Sequence, residues 1–211
     1  MLEKYLTIKK EGTHEIIIDK SRFVCTIDRA ESEQEAQAFI LAVKKSNRDA
    51  THNCSAYLIG DHDQFQKASD DGEPSGTAGY PMLEILKKKQ LKNVVTVVTR
   101  YFGGIKLGAG GLVRAYGNAV NETCSKIGII ERQLATIISI QIDYSQLGKI
   151  ENFLTLENYQ IADKQFAEKI TLYVYVNQND LTIFKEKMIE ILNGRILFDE
   201  HGQQYREEEI L

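Results

Sequence analysis

Tryptophan is absent from the 211 residues, proline occurs twice and cysteine three times. Cys25, Cys54 and Cys124 form no CxxC pair and leave an odd count, so neither a disulfide framework nor a zinc knuckle is indicated. Reduced, mostly buried thiols are the expectation. No apolar run approaches membrane-spanning length, and the stretch from Met1 to Lys10 lacks the apolar core of a signal peptide. A cytoplasmic address with no membrane partner follows as the expectation. The most informative absence is of acid. Between Ile85 and Asn121 there is no Asp or Glu, while Lys87, Lys88, Lys89, Lys92, Arg100, Lys106 and Arg114 supply seven positive charges.

What is present is ordinary globular composition, 43% apolar and 27% charged, with length for one large domain or two small ones. The net charge of −4 hides an asymmetry. Residues 1–132 hold 19 Lys/Arg against 17 Asp/Glu, whereas residues 133–211 hold 7 against 13 and end in the acidic run Asp199 to Glu209. Two units with different surfaces are implied, and a polyanion should meet the first.

Periodicity supports that division. Glu15 to Ile27 reads as extended, and Ser32-Glu33-Gln34-Glu35 opens a helix as a capping box, with Ala36, Phe39, Ile40 and Val43 on one face. Asn53 to Gly60 and Val94 to Phe102 read as strands. Gly79 to Gln90 and Gly111 to Ile127 read as helices, the second closed by Gly128. After Arg132 come a strand (Leu134 to Ile142), a helix (Gln146 to Leu156), two strands (Tyr159 to Lys164 and Lys169 to Val176), a helix (Leu181 to Leu192) and a last strand (Arg195 to Phe198). That βαββαβ order predicts a ferredoxin-like domain over 133–211 following a first domain over 1–132.

Nine of the fifteen glycines and both prolines lie between Gly72 and Gly117. The loop from Asp70 to Gly79 carries Asp70, Asp71 and Glu73. It reads either as a turn in which Asp caps the backbone or as a functional loop. The segment Arg100-Tyr101-Phe102-Gly103-Gly104-Ile105-Lys106-Leu107-Gly108-Ala109-Gly110-Gly111 joins a strand to a helix. Walker-like spacing fails at Ala109, where lysine is needed, and a dinucleotide fingerprint fails at Val113. A generic anion site survives, made of exposed N–H groups at the helix start with Lys106 and Arg114 nearby, beside the alternative of a glycine turn needed for packing. Tyr101 or Phe102 could stack a base beside Arg100, but only one if the strand alternates. Cys54, alternating with Ala56 and Leu58, reads as a core thiol.

The blocks Asp70 to Gly79, Thr99 to Gly108 and Gly110 to Tyr116 resemble the signature of the Impact family, in particular its bacterial YigZ-type members. The resemblance implies an α+β chain, with a ribosomal protein S5 domain 2-like N-terminal domain followed by a ferredoxin-like C-terminal domain. Eukaryotic members of the family regulate translation under amino-acid stress. The expected function is a non-enzymatic factor that binds RNA or a ribosome-associated complex, with a protein partner as a further possibility. Arg100, Tyr101, Lys106 and Arg114 would contact the nucleic acid, and Gly103, Gly104, Gly108, Gly110 and Gly111 would let its backbone approach. No cofactor is expected. The alternative is an enzyme acting on a phosphorylated or carboxylated small molecule, with Asp70, Asp71 and Glu73 as acid–base groups or Mg²⁺ ligands.

Overall fold

The computed structural model describes residues 1–194 and 196–210. The chain forms two compact units. The first spans Met1–Glu131 and takes in the last residues from Glu208, and the second spans Arg132–Glu207.

The first unit is built on an antiparallel sheet of order β2-β3-β6-β4-β5. Its strands are β2 (Gly12–Ile18), β3 (Ser21–Arg29), β4 (His52–Ile59), β5 (Phe65–Ser69) and β6 (Val94–Tyr101). What read as one extended run is the β2–β3 hairpin, turned by Asp19 and Lys20 at φ 45° and 62°. Two consecutive left-handed residues give a turn whose twist matches the flanking strands. Central β6 is buried on both faces, which is why its Val/Thr run shows no polar alternation. Helices α2 (Gly79–Lys88) and α3 (Gly108–Ile127) cover one face, packing Met82, Leu86, Ala115 and Val120 against Cys54, Leu58, Val94 and Val98. Helix α1 (Glu33–Ser46) covers the other, where Ala36 meets Tyr57, Ile59 and Val95. Each such large apolar side chain fully removed from water contributes about 1.5–3 kcal/mol.

Local signals set several boundaries. Ser32 Oγ accepts the Glu35 N–H at 3.2 Å, while the Glu35 carboxylate accepts from the N–H of Glu31, one residue before the cap. Helix α2 stops at Lys88, two residues early, and left-handed Gln90 and Asn93 carry the chain to β6. Helix α3 starts at Gly108, three residues before the glycine content suggests. Gly128 ends it at φ 86° and ψ 154°, positive in φ but outside the left-handed helical region. Two strands have no sequence signature. One is β5, exposed along most of its length, and the other is β1 (Lys4–Ile8), held by the Lys92 N–H donating to the Leu6 carbonyl and Arg29 Nε to that of Ile8.

The second unit runs β7 (Ile129–Ile142), α4 (Leu147–Leu156), β8 (Ile161–Phe166), β9 (Ile170–Asn177), α5 (Leu181–Ile191) and β10 (Phe198–Glu209). β9 lies between β7 and β8, β10 pairs with β7, and α4 and α5 bury Ile150, Leu154, Phe184 and Met188 on the sheet. This is the ferredoxin-like arrangement expected, and the chain is of the mixed α+β class. The last strand differs from expectation. Of the stretch read as Arg195 to Phe198, Arg195 lies outside the described residues, Ile196 and Leu197 are not extended in a ladder, and Phe198 opens a strand through the acidic run. Pairing with β7, rather than apolar burial, makes that run a strand, and side chains add to it: His201 Nε2 bonds Ser139 Oγ at 2.9 Å, and Arg206 donates to Gln133.

Candidate functional site

Strand β6 ends at Tyr101 and delivers the chain into the turn before α3. The first fixed point is Gly103. A Cβ there would sit 2.0 Å from the Lys20 carbonyl carbon and 2.4 Å from Ser21 N, so backbone meets backbone and only glycine fits. Its N–H donates to Ser21 Oγ at 3.2 Å, and the Phe102 N–H to Thr51 Oγ1 at 3.1 Å. Gly104 and Gly108 follow at φ 88° and 68°.

The turn therefore presents the start of α3 without a cap. Leu107 at the N-cap has no side-chain oxygen, and the first turn contains no acid. Its N–H groups and the positive end of the helix dipole face outward uncompensated. In that first turn a Cβ at Gly110 would meet only Arg114 Nη1, at 3.7 Å, whereas one at Gly111 would press on the Leu107 side chain at 3.0 Å. Lys106 and Arg114 are both exposed and carry no ion pair among the described residues.

Beneath the turn lies a cleft of about 370 Å³, lined among others by Glu73, Arg100, Phe102, Lys106, Gly108 and Ala109. Arg100 forms its floor and is only 5% exposed. Its Nη1 donates to Glu73 Oε1 at 2.6 Å, and its guanidinium lies between the rings of Phe23 and Phe102, at 5.3 and 5.5 Å. Arg100, expected as a phosphate contact, is thus buried and ion-paired. One group is left over, since Arg100 Nε is buried and has no hydrogen-bond partner. Tyr101, one residue on, faces away from the cleft, donates to Asn47 Oδ1 at 3.0 Å and lies under the Arg22 guanidinium. Of the two aromatics, Phe102 borders the cleft, 47% exposed.

The three loop carboxylates have separate tasks. Asp70 accepts the N–H groups of Gly76, Ala78 and Gly79 at 2.8–3.0 Å, stitching the loop to the start of α2. Burial alone would raise its pKa, but these donors outweigh it and hold the carboxyl below the ordinary carboxylate value. Asp71 accepts from Lys44 and from the Asn53 N–H. Glu73 accepts from Arg100 and from the Tyr116 hydroxyl at 2.8 Å, while His52 Nε2 lies 3.9 Å from its other oxygen. Among the described residues no group of three or more His, Cys, Asp or Glu is placed to hold a metal.

His52 and Tyr116 complete this network and were not readable as partners of Glu73. His52 Nδ1 is 2.9 Å from the Asp71 carbonyl, which only accepts, so Nδ1 donates there and the ring is held with Nε2 toward Glu73. Burial pushes the Tyr116 phenol up, so it stays a neutral donor. Burial likewise pushes Cys54 up to about 12, and its thiol donates to the Asp70 carbonyl, as a core thiol does. The acid-free stretch is also less positive in space than in sequence. Lys87 pairs with Glu84 and Lys92 with Asp63, whereas Lys88 and Lys89 at the end of α2 and Lys106 and Arg114 at the head of α3 have no ion pair among the described residues.

Residues 19–124 match the Impact N-terminal domain and residues 140–195 a domain of unknown function, DUF1949. The chain is 51% identical over 210 residues to IMPACT family member YvyE of Bacillus subtilis, covering all of this chain and 97% of that protein. It is 35% identical over 181 residues to IMPACT family member YigZ of Escherichia coli, covering 85% and 89% of the two. A solved structure described as that of an hypothetical protein superposes with a TM-score of 0.61 at 33% identity, covering 94% of this chain and 97% of that one.

Proposed function

The chain belongs to the Impact family, and from that premise we propose that it binds RNA or a ribonucleoprotein through the turn at the head of α3, as a translation-related factor. The observation that carries the reading is the uncapped, acid-free first turn of α3 with Lys106 and Arg114 exposed and unpaired beside it. Phosphate oxygens find there both N–H donors and positive charge. The translational link rests on the family resemblance. Lys106 and Arg114 supply the cationic contacts, Gly110 and Gly111 the close approach, and Arg100 the buried floor. The enzymatic alternative gains nothing from the loop, because Asp70, Asp71 and Glu73 are each engaged by backbone or side-chain donors.

The test is binding of a labelled single-stranded RNA to the full chain, followed by fluorescence anisotropy. Lys106→Glu together with Arg114→Glu should weaken it by at least about tenfold, since each reversal replaces an attraction by a repulsion. Affinity unchanged in that double variant would refute the assignment.

A further inference from the structure

We infer that the helix-free face of the second unit's sheet docks an extended basic segment of another protein, one that presents arginine at alternate positions. The inference goes beyond the RNA reading and stands without it.

The face follows from the core. Ile138, Ile140, Leu172 and Val174 point to α4 and α5, so their odd-numbered neighbours on β7 and β9 point the other way. Tyr173 and Tyr175 stand there on β9, between β7 and β8, and both stay partly exposed. The His201 ring meets that of Tyr173 at 5.1 Å while its Nε2 bonds Ser139 Oγ at 2.9 Å, so Tyr173 is braced from one side. Two aromatic rings held side by side on an uncovered sheet face offer a partner both apolar area and ring faces.

Charge selects the partner. Across the ladders Tyr173 faces Ser139 and Asp163, and Tyr175 faces Ile137, with no Lys or Arg among them. Glu200 reaches Lys185 of α5, so its neighbours Asp199 and His201 lie on the open face. Asp163 and Asp199 are exposed and carry no ion pair among the described residues, while nearby Lys164 and Lys169 pair with Glu151 and Asp143. A nucleic acid stacked on the rings would bring its phosphates to these carboxylates, without the cationic track that such strands need. A guanidinium satisfies both features, lying flat on a tyrosine ring while its N–H groups reach a carboxylate; an ammonium has the charge but not the plane. Residues two apart on a strand repeat every 7 Å or so (roughly 3.4 Å per residue), so arginines at alternate positions of an extended segment fall on successive rings.

Fluorescence anisotropy of the full chain at physiological salt tests the face with three labelled probes: a short Arg-Ser repeat, the matching Lys-Ser repeat and a short oligouridine. The Arg-Ser repeat should bind at least about threefold tighter than the Lys-Ser repeat. Tyr173→Leu with Tyr175→Leu keeps the charge and should weaken the Arg-Ser repeat by about fivefold or more, bringing the two peptides level. Tyr173→Phe with Tyr175→Phe keeps the rings and should bind within about twofold of the parent, which separates stacking from a damaged fold. Asp163→Lys should weaken both peptides by about threefold or more. Arginine and lysine repeats bound alike by the parent, or an Arg-Ser repeat bound as well by the leucine variant, overturn the inference, because net charge alone then holds them. Oligouridine that loses affinity in the leucine variant and not in the phenylalanine one makes the face a platform for bases. Self-association of the parent that the leucine variant loses gives the face to a second copy. Either result overturns the inference too.

Discussion

Arg100 Nη1 donates to Glu73 Oε1 at 2.6 Å with both side chains almost wholly out of water, 6% and 3% exposed. The pair ties the end of β6 to the loop before α2, and through Tyr116 to α3. Removing one partner leaves the other charge buried alone. Glu73→Ala should therefore cost about 3–5 kcal/mol in urea unfolding, whereas Glu73→Leu with Arg100→Leu should cost much less than the sum of the two single changes. Additive losses would show that the two residues do not act as a pair.

Asp70 should govern part of the acid limb. Its pKa is lowered in the folded chain, so its contribution is fully present above the ordinary value of 3.8 and is lost as pH falls through the lower folded value. Asp70→Ala should cost about 1–2 kcal/mol at neutral pH, as for loss of a helix cap. Below pH 3.8 the difference between variant and parent should shrink, read from unfolding midpoints across the acid range.

The two neighbouring glycines of the turn should separate on substitution. Gly103→Ala drives Cβ into the Lys20 and Ser21 backbone and should lower stability by more than Gly104→Ala. The latter meets open space and pays only the left-handed backbone strain at φ 88°, about 1–2 kcal/mol. Thermal midpoints of the two variants decide the order.

Salt dependence should count the exposed phosphate contacts. Each contact to single-stranded nucleic acid adds about 0.7 to the slope of log K against log salt, so Lys106→Ala with Arg114→Ala should flatten it by about 1.4. A slope unaltered while affinity drops would place the lost interaction elsewhere.

The thiols should be inert while the chain is folded. Burial pushes Cys25 up to about 11 and Cys124 to about 12, as it does Cys54. A thiol-reactive chromophore at neutral pH should find none of the three in the native protein and all three in denaturant.

How far the sequence speaks depends on the range of each interaction. Val94 to Thr99 announced β6, since a β-branched run buried on both faces has no better home, and Ser32 announced α1 through a contact three residues long. The start of α3 was hidden because Gly108, Gly110 and Gly111 disfavour helix, yet packing of Leu112, Ala115 and Tyr116 on the sheet overrides that preference. β5 carries too little apolar alternation to be seen, and the acidic run hid the extent of β10, so both strands exist through their pairing. The burial of Arg100 could not be read at all, because its partner Glu73 lies 27 residues upstream. The acid-free stretch singled out the turn before α3, but it also counted lysines that Glu84 and Asp63 neutralise.

The Gly103 N–H meets Ser21 Oγ across 82 residues of chain. A ribosome releases the amino-terminal hairpin long before the glycine turn appears. A lone hairpin is marginal in water, so the tight Asp19–Lys20 bend and the later glycine turn order together, each the mould of the other. A circular permutant opened at that bend would have to find the same fit with its mould cut in two.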